Sequence, residues 1–328
     1  MEIRRIKLPE DFDLLKELIV KSFVYPENPA WDMEEDEIEG LAGTIDSLKK
    51  IWPLLRFIGL FSDTIKNILQ GFIAEENGVP VGIFICQKRG SADRWHFSNV
   101  GVLPEFRRMG IARRLIEAAI DFVEKKSGKT IILDVKSKNV PAYSLYVDVG
   151  FKHYSGLLQM DCHKSEISSL NNIPLGIELI DIGEFDWETK YELMDLITPE
   201  EIKKFEPVVI SFFKQSFVMR LLHPLVKYVR GTESVNQAIK TDGKIIGWIN
   251  LRLRNKSGGK HGLSLYLDED YKDLCESFVK YMLGKVDEHK EKREVITYVD
   301  KWQPHVVEGF QKAGFKIKME GHRLGLIL

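Results

Sequence analysis

Cysteine is scarce. The 328 residues hold three, Cys86, Cys162 and Cys275, an odd number with no C-x-x-C spacing. That fits a reducing compartment and argues against a disulfide framework. Long apolar runs are absent too: the most apolar stretch, Ile51 to Phe61, contains Arg56 and falls short of the ~20 residues a membrane-spanning helix needs. It reads as a helix buried beneath a lid. The first twenty residues carry charges inside their apolar stretch and lack a small-residue cleavage pattern, so they do not read as a signal peptide. A cytoplasmic protein with no membrane partner is expected. Charge of one sign is lacking as well. Lys plus Arg number 47 against 49 for Asp plus Glu, a formal net charge of −2, which leaves no global basic field to hold nucleic acid.

Several catalytic signatures are missing. The eight histidines form no H-x-x-x-H or H-x-x-E-H pair and no G-x-S-x-G elbow is present, so no metal is expected. Gly128-Lys129-Thr130 resembles the end of a P-loop, but Val123 stands where that loop needs glycine, and the segment runs from helix into strand.

What is present is an ordinary globular composition, 44% hydrophobic and 29% charged, long enough for two domains at roughly 150 residues each. The pattern predicts a strand at Glu2 to Lys7 and a helix from Pro9 to about Phe23 with Leu14, Leu15, Leu18 and Ile19 on one face. Residues 25 to 70 read as an irregular lid with apolar helical turns around Leu54 to Ile68. Phe72 to Glu76 and Val81 to Lys88 read as strands joined at Asn77-Gly78, a dipeptide suited to a tight hairpin. A strand at Trp95 to Val102 follows, then a helix with Ile111, Leu115, Ala118 and Phe122 in period, ending near Gly128. Ile131 to Val135 reads as a buried strand and Asn139-Val140-Pro141 as a cap and first turn. A short helix with Ala142, Leu145, Tyr146 and Val149 ends at Gly150, and two closing strands, 151 to 154 and 157 to 163, complete the unit. The expected class is α/β (α+β).

The second half repeats the first. Asp242 to Arg254 (DGKIIGWINLRLR) parallels Asn77 to Arg89 (NGVPVGIFICQKR), and GFKIKM from Gly314 parallels GFKHYS from Gly150, at shifts of 165 and 164. A period this long means two tandem copies of one fold and not a solenoid. The expected domains are residues 1–170 and 176–328, with Asn171 to Leu175 as linker.

Between the third strand and its helix lies Pro104 to Arg114, an R-x-x-G-x-A turn with four arginines in eight residues. Free N–H groups at a helix start carry partial positive charge and bind anions when glycine lets the ligand approach. Cations crowded there need a compensating anion, and phosphate is the economical one.

At these residues the sequence resembles the GNAT superfamily of N-acetyltransferases, whose signature R/Q-x-x-G-x-G/A follows a strand ending V-x-P. Here Val102-Leu103-Pro104 precedes Arg107 to Ala112, and Leu133-Asp134-Val135, Asn139, Ala142, Leu145-Tyr146 and Gly150-Phe151 continue the family's series in order and spacing. The resemblance implies two tandem GNAT-like domains, each a mixed, mostly antiparallel sheet flanked by helices. It implies acetyl-CoA held in a V-shaped opening between the fourth and fifth strands. The pyrophosphate would lie on the turn formed by Arg107, Arg108, Met109, Gly110, Ile111, Ala112 and Arg113, and the pantetheine arm along the main chain of Val100 and Val102. Asn139 matches a cofactor-contacting position and equally suits a helix cap. Tyr146 matches the tyrosine that protonates the departing thiolate, and a core tyrosine is the alternative.

For the general base two positions compete. His96 falls where histone-type members carry a glutamate, and an imidazole with an ordinary pKa of about 6.5 serves at neutral pH. Asp134 falls where some N-terminal-amine members carry a glutamate, and it would need burial to raise its pKa. The second copy lacks the motif: Tyr271, Leu274 and Glu276 stand for Arg107, Gly110 and Ala112, and Gln303 and Phe310 for Asn139 and Tyr146. Asp268, Glu269, Asp270 and Asp273 crowd its helix start and would repel a pyrophosphate. That copy is expected to be structural, shaping the acceptor cleft or an interface.

The expectation is acetyl transfer from acetyl-CoA, as co-substrate, to a primary amine on a small molecule or peptide. A thiol-conjugate acceptor is a variant of that reading, and a non-catalytic acyl-CoA sensor is the alternative. An acidic cluster, Asp32, Glu34 to Glu37 and Glu39, either attracts a cationic acceptor or forms a solvated face.

Overall fold

The structure is a computed structural model that describes residues 1–33, 35–59, 69–89, 93–163, 173–255 and 259–328. The chain divides into two compact units, Met1–His153 with Leu324–Leu328, and Tyr154–Arg323.

In the first unit β1 (Glu2–Arg5) leads to α1 (Phe12–Ser22), which buries Leu15, Leu18 and Ile19 against Ile73, Ile83 and Ile85. The irregular structure expected over residues 25 to 70 is corrected. Its described part is dominated by one long helix, α2 (Glu35–Gly59), which runs through Pro53. The stretch expected to be buried is mostly not: Leu55 is buried, while Leu54 and Phe57 are exposed. Glu34 and residues 60–68 lie outside the described residues, as do 171 and 172 of the expected linker.

Strands β2 (Gln70–Glu76) and β3 (Val79–Arg89) form the expected hairpin. Its turn residues Asn77 and Gly78 have φ of 52° and 78°, the left-handed pair that a two-residue hairpin requires. β4 (Arg94–Val102) lies antiparallel to β3 and parallel to β5 (Thr130–Lys136). Between β4 and β5 stands α3 (Ile111–Lys125), whose buried stripe is Ile111, Leu115, Ile116, Ala119 and Val123. The period is as expected, but Ala118 and Phe122 sit at the margin of the face, only partly buried. α4 (Val140–Asp148) follows, with Asn139 Oδ1 accepting a hydrogen bond from the Ala142 amide at 3.2 Å.

The two closing strands expected at 151–154 and 157–163 are a single strand, β6 (Lys152–Cys162). From Leu157 to Cys162 it pairs antiparallel with β11 in the second unit. The first unit is closed instead by Leu324–Leu328, the end of β12 (Lys316–Ile327), beside β5. Leu324 is fully buried in the core that holds Phe97, Leu133, Tyr146 and Phe151, and the Leu328 amide donates to Lys129 O at 2.9 Å.

The second unit holds β7 (Glu178–Asp181), four helices, α5 (Glu188–Ile197), α6 (Glu200–Lys203), α7 (Ile210–Phe213) and α8 (Phe217–Arg230), then β8 (Thr232–Thr241), β9 (Lys244–Arg254) and β10 (His261–Leu267). α9 (Cys275–Glu288), β11 (Val295–Asp300) and α10 (Pro304–Lys312) complete it, with strand order β7-β8-β9-β10-β11-β6. The duplication is visible in detail. The β8–β9 turn, Asp242-Gly243, repeats the left-handed pair at φ 49° and 76°. The register shift between Ala74 and Glu75 recurs between Ile239 and Lys240.

Candidate active site

The site is built around the end of β4. Its ladder with β5 covers Arg94–Phe97 against Thr130–Leu133 and stops there, while the ladder with β3 continues to Val102. β4 therefore leaves its parallel neighbour after Phe97, and Val100 and Val102 lie beyond the last β5 pair. A register shift on β3 between Ile85 and Cys86 leaves Ser98 as the extra residue of β4, the bulge at which the strand changes course.

The R-x-x-G-x-A turn follows. Arg108 and Gly110 both have left-handed φ, 64° and 77°. For the arginine that conformation is strained, and such residues cluster at functional sites. Helix α3 begins with the Arg114 amide donating to Gly110 O, and no side chain caps it. The preceding amides of Ile111, Ala112 and Arg113 thus have no intrahelical acceptor. A Cβ built on Gly110 would meet nothing within 4 Å. Arg108, Met109 and Gly110 are exposed, Arg113 reaches Asp148 on α4 at 3.2 Å, and Ile111 points into the core. An open, amide-rich helix start suits a pyrophosphate, so the residues present fit the CoA moiety.

His96 and Asp134, the competing bases, are brought together: His96 Nε2 lies 3.4 Å from Asp134 Oδ2, and Nδ1 lies 3.2 Å from Ser98 Oγ. Tyr146, on α4, is buried, and burial, then the neighbouring Tyr25 phenol, pushes its pKa well above the usual phenol range. It is a hydroxyl donor at neutral pH. Asn139 caps α4 and its side chain neighbours the Tyr25 phenol.

Arg107 is engaged elsewhere than at the helix start. Its Nε donates to Val102 O at 3.1 Å, Nη1 to both Glu27 carboxylate oxygens at 3.1 and 3.2 Å, and Nη2 to Ser22 O and Val24 O at 3.1 and 2.7 Å. The guanidinium also stacks over the Tyr25 ring, 4.0 Å from its centroid. Tyr25, Glu27 and Trp31 are neighbours of the turn that the sequence reading missed. They lie in a segment with no family motif, and only the density of aromatic and proline residues from Tyr25 to Trp31 marked it. Of the acidic cluster, Asp32 accepts the Tyr25 amide at 2.6 Å and so serves the loop.

The equivalent place in the second unit is built differently. A Cβ built on Gly309 of α10 would fall 2.5 Å from Cys275 Cβ and 2.7 Å from its sulfur, so α10 sits directly on the start of α9. Asp268 caps the preceding turn through the Asp270 amide, and Phe310, which stands for Tyr146, is fully buried. Among the described residues no group of His, Cys, Asp or Glu could hold a metal ion, and no helix is long and apolar enough to cross a membrane. The three cysteines are buried, and burial pushes the Cys86 and Cys275 thiols up to about 12, which removes them as nucleophiles.

Residues 31–151, the R-x-x-G-x-A turn and α4 included, match the model of the acetyltransferase (GNAT) family. The fold of the whole chain is that of tandem GNAT proteins. A tandem GNAT protein from the clavulanic acid biosynthesis pathway superposes with a TM-score of 0.63 at 12% identity, over 99% of this chain and 98% of that one. A GCN5-related N-acetyltransferase from Sphaerobacter thermophilus gives 0.61 at 14% identity, over 99% and 95%. At such identities the likeness is one of fold. Among curated proteins, N-alpha-acetyltransferase 30 of Schizosaccharomyces pombe is 30% identical over 89 residues, 26% of this chain and 59% of that protein. The [ribosomal protein bS18]-alanine N-acetyltransferase of Escherichia coli K12 is 40% identical over 53 residues, 16% and 36%. The chain spans about half the length, or less, of these curated relatives.

Proposed function

We propose that the protein is an acetyltransferase with one active site, in the first unit, that transfers acetyl from acetyl-CoA directly to a primary amine, and that the amine belongs to a peptide or protein. Acetyl-CoA supplies the activated acyl group. The observation that carries the reading is the uncapped, glycine-opened start of α3 after the end of β4 that has left its β5 ladder, with Tyr146 and the His96–Asp134 pair on neighbouring elements. The free amides of Ile111 to Arg113, with Arg108 and Arg113 nearby, hold the pyrophosphate. The main chain of Val100 and Val102 orients the pantetheine arm. His96, oriented by Asp134, takes the proton of the attacking ammonium. Tyr146, kept protonated by burial, donates to the departing thiolate. The peptide-type acceptor is supported by the names of the curated relatives, which acetylate N-terminal amines. The second unit has a structural role, because Leu274 stands where the first unit has Gly110 and aspartates crowd the turn before α9.

The test is a thiol-release assay with acetyl-CoA and a panel of free-amine peptides, polyamines and thiol conjugates, beside CoA titration calorimetry. One CoA per chain and thiol release with a peptide are expected. CoA binding without thiol release across the panel would make the protein a sensor. Two equivalent CoA sites would restore the second unit.

A further inference from the structure

Segment 22–33 is held at both ends of its path. Arg107 grips Ser22, Val24 and Glu27 while its Nε stays on Val102 O, so one side chain joins this loop to the end of β4 and the phosphate turn. On the far side, the Trp31 indole N–H donates to Lys138 O at 2.7 Å, and Lys136 Nζ donates to Asp32 O. Tyr25 sits in the middle. Its ring meets the Arg107 guanidinium on its face at 4.0 Å and an edge-on Trp31 at 5.8 Å, and its phenol neighbours Asn139 at the cap of the helix that carries Tyr146. The Arg107 side chain is 14% exposed. Its fork is already matched by a carboxylate and three carbonyl oxygens, which leaves little donor capacity for a phosphate.

Resting on the acetyl-transfer reading, we infer that Arg107 is a positioning residue: its side chain clamps segment 22–27 onto the end of β4 and thereby sets Tyr25 against the Asn139 cap, and the CoA phosphates are held without it. Segment 22–33 then borders the acceptor, with Tyr25 as the aromatic wall beside Tyr146. A lysine could not replace the arginine. One ammonium cannot reach Val102 O, the Ser22 and Val24 carbonyls and the Glu27 carboxylate together, whereas a planar guanidinium does so without reorganising.

The experiment is hydrogen exchange on the full chain, read at the Tyr25, Asn28, Trp31 and Met33 amides, whose acceptors all lie within the segment. It is paired with CoA titration. R107Q should lose about tenfold or more of the protection there, the equivalent of one charge-assisted hydrogen bond, while the CoA Kd stays within about twofold. R107K should fail to restore the protection. With the amine that the acceptor panel identifies, the acceptor KM should rise and the acetyl-CoA KM should not. Should R107Q not fold, E27Q removes the carboxylate alone, and its protection loss should be smaller and confined to residues 24–28. Unchanged protection in R107Q, full rescue by R107K, or a CoA Kd weakened tenfold overturns the assignment. If the wild-type chain binds no CoA, the acetyl-transfer reading falls, and the exchange data still decide the clamp.

Discussion

His96 Nε2 lies 3.4 Å from Asp134 Oδ2, and two residues that the sequence offers as competing bases form one pair across parallel strands. The carboxylate orients the imidazole and Ser98 holds the other nitrogen. Groups that act as a unit lose activity non-additively. H96A and D134N are each expected to lower kcat/KM, H96A by ~10²–10⁴-fold. The double variant should be no worse than H96A. Losses that multiply in the steady-state assay would separate the two roles.

Tyr146→Phe removes only the hydroxyl. The ring packs at 5.8 Å from Phe151 in a T-shaped contact, and phenylalanine keeps it. The expected result is kcat down by ~10²–10⁴-fold with an unchanged CoA Kd. An unchanged kcat in a variant that binds CoA would return Tyr146 to the core.

Gly110→Asp sets a charge where the α3 amides converge and forces an L-residue to φ 77°. CoA binding should vanish in calorimetry. Gly110→Ala carries the backbone cost alone, ~1–2 kcal/mol, and faces open space. It should therefore weaken binding less than aspartate does. Equal losses in the two variants would mean that the turn's shape matters and its charge does not.

Leu324 is fully buried in the first unit although it is the fifth residue from the C-terminal end. Leu324→Ala should lower the stability of that unit by ~2–5 kcal/mol. The expected sign in chemical denaturation is earlier loss of CoA binding, while exchange protection in β8–β10 persists. Loss of both together would show one cooperative transition.

Acid should destabilise the second unit through His261. The residue is fully buried, its Nδ1 accepts the Arg254 amide at 3.0 Å, and Nε2 donates to Glu291 O at 2.9 Å, so the neutral tautomer is the one that fits. Burial lowers its pKa below the ordinary 6.5. Between that lowered value and 6.5 the unfolded chain binds more protons than the folded one, so stability falls as pH falls through this window. His261→Asn should flatten the dependence in denaturant melts from pH 7 to 5, at the cost of some stability at pH 7. An unchanged slope would place the acid sensitivity elsewhere.

The sequence by itself determined the hairpins, the α3 helix and the repeat. Asn77-Gly78 and Asp242-Gly243 dictate hairpins because few other residue pairs adopt two left-handed conformations in succession. The α3 period marks a helix, although its burial needed the sheet to orient the face. Arg107 to Ala112 announced an uncapped helix start behind a left-handed glycine, because that geometry belongs to the backbone of one turn. Only the tertiary structure decided which strand closes which sheet. β6 and the end of β12 are both apolar enough to cover an edge, and strand pairing carries no marker in either sequence alone. Tertiary structure also joined His96 to Asp134 across 38 residues and Arg107 to Glu27 across 80. Spacing along the chain can nominate such side chains, but distance between them is set by the packing of strands and loops that lie far apart in sequence.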